Sequence, residues 1–153
     1  MSDAHRFADV PQEVIDLVTV VRNRYFETLS GAQIKIAFDT KKRTSGGNIV
    51  FGRMQKANDL IRYLTDDTQA PQGFDFILYL DQNIYHAMGE ADRTRLIFHE
   101  LCQCGVDLDR KDPFYIIPHD VETFYAEIEY NKDNPRWYES MSQIAAEVYA
   151  ADD

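Results

Sequence analysis

The sequence predicts an α+β fold, a small antiparallel or mixed sheet with one helix before it and a helical half after it. Three features carry that prediction: an amphipathic opening stretch, apolar alternation confined to the first half, and helical spacing from Gln82 onward. From Pro11 to Leu29, Val14, Ile15, Leu17, Val18, Val21, Tyr25 and Phe26 recur every three or four residues, with Pro11 in the first turn and Asp9 as the cap. Ala32 to Asp39 then alternates, placing Ile34, Ile36 and Phe38 on one face. Ile49 to Phe51 is a second β-rich run across the loop Lys41 to Asn48, and the two runs read as a hairpin. Met54 to Leu64 returns to helical spacing through Leu60, Ile61 and Leu64, and a loop follows from Thr65 to Gly73. Phe74 to Leu80 is the strongest strand. After it come a short helix from Gln82 to Met88, a longer one from Ala91 to about Cys104, another from His119 to Tyr130 and a last one from Trp137 to Tyr149.

A chain of 153 residues fits one domain, read as residues 9–150 between a flexible start over 1–8 and an acidic end over 151–153. Hydrophobic residues at 44% suffice for a core, which excludes wholesale disorder. Lys and Arg total 16 against 26 Asp and Glu, and the net charge of -10 disfavours direct contact with nucleic-acid phosphates or anionic lipid. No apolar run approaches the roughly 20 residues that a membrane helix needs. The two cysteines, Cys102 and Cys104, are spaced unsuitably for a disulfide within a helix. A reducing, cytosolic setting is the expectation.

The chemistry concentrates in Thr94 to Cys104, which contains His99-Glu100-Leu101-Cys102-Gln103. Residues four apart on a helix share a face, so His-Glu-x-x-His presents two imidazoles to one zinc ion while the intervening Glu acts on metal-bound water. Gln103 occupies the second imidazole's place, and an amide oxygen is a poor zinc donor beside a neutral imidazole. His119 could return a third ligand across the intervening loop. Glu122 would share the face of His119 on a helix and could complete a two-His, one-Glu set, with Glu100 left as base. Cys102 could act as a thiolate ligand instead, although a small buried side chain is the commoner use of such a cysteine. Tyr115, between the two segments, could stabilise an oxyanion. Without metal, His99 is a packed or capping residue and Glu100 a solvated carboxylate, so the two roles stand or fall together. His86 has no partner of matching chemistry nearby in sequence and His5 falls in the flexible start, so both read as bystanders; Lys41-Lys42-Arg43 reads as a solvated turn, and Tyr125, Tyr130, Trp137 and Tyr138 read as core packing before cleft lining.

These segments resemble the phage and prophage putative metallopeptidases, a zincin-like family with the pattern His-Glu-Leu-Cys-His followed by His-Asp-Val-Glu-Glu-Phe. The second part is met here by His119-Asp120-Val121-Glu122-Thr123-Phe124. The resemblance spans most of the chain, through the opening helix, the basic loop with Lys41, Lys42, Arg43, Gly46 and Gly47, and the strand from Asp75 to Leu80. A more distant similarity is to SprT-like proteases, met loosely by His119 with Phe124. The family resemblance implies a zincin-like domain with zinc as cofactor, His99 and His119 as metal ligands, Gln103 at the altered ligand position and Glu100 as general base. It also implies a protein or peptide substrate held through its main chain along the strand Phe74 to Leu80. The implied setting is the cytosol of a phage-infected or lysogenic bacterium. Gln103 keeps a second expectation open, a degenerate peptidase fold retained as an acidic binding or inhibitor module.

Overall fold

The computed structural model describes residues 5–67, 70–117, 130–134 and 136–150. In chain order its elements are β1 (Phe7–Asp9), α1 (Gln12–Tyr25), a 3-10 turn (Glu27–Leu29), β2 (Ile34–Asp39), β3 (Thr44–Ser45), β4 (Asn48–Ile49), β5 (Gly52–Lys56), α2 (Asp59–Thr65), β6 (Phe76–Asp81), α3 (Gln82–Ala87), α4 (Glu90–Leu101), β7 (Cys104–Val106), β8 (Phe114–Ile116) and α5 (Trp137–Val148). The fold is α+β, as the sequence predicts.

Four strands form a mixed sheet in the order β1-β2-β6-β5. β2 and β6 run parallel, from Ile34 opposite Phe76 to Asp39 opposite Asp81, and the outer strands are antiparallel to their neighbours. Alternation along β2 and β6 sends Ile36, Phe38, Leu78 and Leu80 into one core with Val14, Val18 and Val21 of α1 and Leu96, Ile97 and Leu101 of α4. Each such side chain, fully buried, contributes roughly 1.5–3 kcal/mol, so packing rather than capping seats these helices. The opposite sheet face carries Lys35, Ala37, Arg53, Gln55, Ile77 and Tyr79, and part of it forms a groove of about 470 Å³ bordered by Phe7, Arg43 and Ile61.

Several elements differ from the sequence reading. Pro11 takes the N-cap position of α1, whereas Asp9 ends β1, inside an edge strand that begins at Phe7. The expected hairpin of Ala32–Asp39 with Ile49–Phe51 does not form. Gly46 and Gly47, at φ 58° and 85°, close a two-residue turn instead, so Ile49 pairs with Thr44 while β2 is taken by β1 and β6. The stretch read as one helix from Met54 divides into β5 and α2 because Asn58 caps the true helix start, accepting the Ile61 N–H at 2.8 Å. α4 ends at Leu101 rather than near Cys104, because Cys104–Val106 pairs with β8 in what reads as loop. α3 and α5 fall where the periodicity puts them. The helix read over His119 to Tyr130 lies outside the described residues except for Tyr130.

Candidate active site

The His-Glu pair sits at the end of α4. Glu90 and Asp92 complement the positive end of this helix at its first turn, and Leu96, Ile97 and Leu101 anchor its inner face in the core. That anchoring carries Glu100 inward, to 2% exposure, and leaves the neighbouring His99 half-buried. The His99 ring lies 6.3 Å, centroid to centroid, from the buried Trp137 at the start of α5.

Gln103 lies just past the helix, in a tightened final turn. The Cys102 N–H donates to the Phe98 carbonyl at 3.0 Å, the Gln103 N–H to the Glu100 carbonyl at 3.1 Å, and the Ile117 N–H to the Gln103 carbonyl at 2.7 Å. The backbone of Gln103 is thus tied on one side to α4 and on the other to the residue following β8. Its side chain donates from Nε2 to Glu100 Oε2 at 2.8 Å. A buried carboxylate is costly unless its oxygens accept hydrogen bonds, and this amide supplies one of them.

The other oxygen of Glu100 faces β5. A Cβ built on Gly52 would lie 3.6 Å from Glu100 Oε1, 3.0 Å from Leu80 Cδ2 and 3.1 Å from the Tyr79 carbonyl oxygen. Gly52 is therefore a place where the backbone of a strand passes close to the carboxylate, and a larger residue would push into β6. β5 is also the outer strand of the sheet on this side. The Asp81 N–H donates to the Phe51 carbonyl at 2.7 Å and the Ala57 N–H to the Asp75 carbonyl at 2.9 Å, which fixes the parity of the strand. Odd-numbered residues of β5 turn their main-chain groups toward β6, and Gly52 and Met54 turn theirs outward. The strand expected at the peptide-binding edge, Phe74 to Leu80, is instead interior: β6 is hydrogen-bonded to β2 on one side and β5 on the other. Its nearly continuous apolar sequence matches its interior place, with Ile77 alone partly exposed on the groove side.

The remaining candidates are placed as follows. Cys102 is buried as the C-cap of α4, and Cys104 is buried in β7. Burial, and secondarily the negative charge of Glu100, push the Cys104 thiol well above its ordinary range, so it is protonated at neutral pH. Tyr115 lies in β8, its ring packed where a Cβ on Gly105 would fall, with the Arg110 guanidinium 5.1 Å from the ring centroid. Trp137 and Tyr149 are buried as core, and Tyr130 stacks on Phe98 at 4.0 Å. His119 and Glu122 lie outside the described residues. Among the described residues no group of three or more His, Cys, Asp or Glu converges as a metal site. The donor chemistry fits a metal in part: an imidazole such as that of His99 suits zinc, whereas Gln103, whose N–H is donated to Glu100, offers only an amide oxygen, a poor zinc donor.

Sequence reasoning missed Gly52, a lone glycine at the head of a strand with one buried side chain, and it had no signal tying Trp137 to His99. The sequence model of the putative phage metallopeptidase family matches this chain over residues 6–149. No curated protein and no solved structure matches it.

Proposed function

Because the chain belongs to the putative phage metallopeptidase family, we propose that it hydrolyses peptide bonds in an extended polypeptide laid along β5, with Glu100 as general base beside a zinc ion held by His99 and His119. The observation that carries this reading is the buried carboxylate of Glu100 facing Gly52 on the outer strand. A polypeptide pairing with the outward main-chain groups of Gly52 and Met54 brings an amide bond past Oε1 without any sequence-specific pocket. Glycine at that point leaves room for Leu80 and the Glu100 carboxylate against the strand. Gln103 positions the base by holding Oε2. The carboxylate is then oriented to take a proton from the attacking water and return it to the leaving amine. When bound, the metal lowers the pKa of its water and polarises the scissile carbonyl. Glu122 is the candidate to make up the donor lost at position 103. The cellular setting proposed is the cytosol of the bacterial host, and no described helix is long and apolar enough to cross a membrane.

A second reading, a non-catalytic acidic binding module, is favoured by one feature, the amide at position 103. The two separate on a single experiment. Incubation of an unstructured protein with wild-type chain plus zinc, followed by mass spectrometry, is expected to give fragments that the Glu100→Gln variant does not. Intact substrate in both samples, with substrate captured equally by both forms, would establish binding without hydrolysis.

A further inference from the structure

The parity of β5 decides which substrate side chains lie on which face. If Gly52 and Met54 form the hydrogen bonds to an added antiparallel strand, the substrate residue opposite Arg53 occupies a non-hydrogen-bonded position, where facing side chains come closest. The Arg53 side chain is exposed on the open sheet face, and its guanidinium makes no hydrogen bond or ion pair among the described residues. Its surroundings are positive. Arg43 lies over the Tyr79 ring at 5.1 Å and pairs with Asp39 at 3.2 Å, and Asp39 is also held by Arg6 at 2.7 Å. Asp39 thus already has two guanidinium partners, and Lys35 on the same face lies 3.8 Å from the exposed Asp9. On a chain with a net charge of -10, a local excess of guanidinium beside the proposed docking edge is not what average composition would place there.

We infer that Arg53 is a specificity-determining residue, selecting Asp or Glu in the substrate at the position immediately before the residue that lies opposite Gly52. The inference rests on the proposed peptidase reading and deepens it by naming the substrate class: extended acidic segments. Antiparallel addition runs the substrate opposite to β5, so the residue across from Arg53 precedes the one across from Gly52, and the residue across from Gln55 lies two further back. Gln55, which donates and accepts, tolerates either charge there. An exposed edge arginine can also serve merely to discourage strand pairing. In that case it would not discriminate among substrates.

The test uses unstructured peptides identical except for Glu, Gln or Lys at one position. Their cleavage by the zinc-supplemented wild type, Arg53→Gln and Arg53→Glu is followed by mass spectrometry, and their binding to Glu100→Gln forms of the same proteins by fluorescence anisotropy. Circular dichroism checks that each variant is folded; Arg53→Gln carries the comparison if the charge reversal is not. Wild type should prefer Glu to Lys by about fivefold in kcat/KM, the scale of a partly exposed cross-strand charge pair. The preference should vanish in Arg53→Gln and invert in Arg53→Glu. An unchanged preference in the variants overturns the inference while leaving hydrolysis intact. If no peptide is cleaved by any form, the peptidase reading fails, and anisotropy alone decides: tighter binding of the Glu peptide that reverses in Arg53→Glu sustains the role of Arg53, and equal or absent binding ends it.

Discussion

At the residue scale the site turns on Glu100 and the amide that holds it. Replacing Glu100 by Gln removes the base while keeping its volume, and the expected loss in kcat is about 10²- to 10⁴-fold, measured with a peptide that the wild type cleaves. Gln103→Ala removes the Nε2 donor from a buried carboxylate and should destabilise the fold by about 1–3 kcal/mol in urea titration. Gln103→His restores the second imidazole and is expected to raise zinc affinity about tenfold or more, read by competition with a chelator. No gain would mean that position 103 serves Glu100 alone. Gly52→Ala places a methyl group against Leu80 and the Tyr79 carbonyl, and it should cost about 1–3 kcal/mol, the scale of an overpacked core. The His-Glu pair was legible in sequence because its two residue types and their order state a chemistry. Gly52 was not, because a glycine ahead of Arg53-Met54-Gln55-Lys56 shows nothing of what its missing side chain makes room for.

At the element scale, legibility followed burial. α1 and α4 were readable from periodic apolar residues because each buries a face in the core, and β6 from an apolar run because all but Ile77 of its residues are buried. β5 was unreadable because only Met54 among its side chains is buried, so its pattern merged with the helical spacing of α2. The hairpin of β7 and β8 is three residues a side and leaves too short a pattern. α5 is fastened by a contact that no periodicity announces. Tyr149, its C-cap, donates its hydroxyl to Asp81 at 2.6 Å at the end of β6, where Asp81 also accepts the Ile84 N–H and caps α3. Burial, and next the bond to Asp81, push the Tyr149 phenol up to about 12. A phenol whose pKa is raised by folding contributes stability that is complete below its unfolded pKa, about 10, and that is lost as pH climbs toward the folded value. Denaturant midpoints should therefore fall between about pH 10 and 12 in wild type. Tyr149→Phe should lose about 1–3 kcal/mol at neutral pH and show a weaker fall over that range.

At the scale of the whole molecule, one sheet face is covered by α1 and α4 and supports the candidate site, while the other is open and carries Arg53 beside Arg43, which lies over the Tyr79 ring. The outer strand β5 belongs to both, with Gly52 on the side of Glu100 and Arg53 on the open side, so one docked polypeptide would be read by catalytic and selecting groups at once. This arrangement follows from the period of a strand and was out of reach of the sequence, which put the docking edge on β6. The central claim is that His99 and Glu100 form the working end of a metal-dependent peptidase site. Zinc titration of wild type, His99→Ala and Glu100→Gln tests it most directly, with bound metal measured after removal of free ion. About one equivalent is expected in wild type and in Glu100→Gln, and loss of that equivalent in a folded His99→Ala. Wild type that takes up no zinc, or His99→Ala that binds it as tightly as wild type, would contradict it.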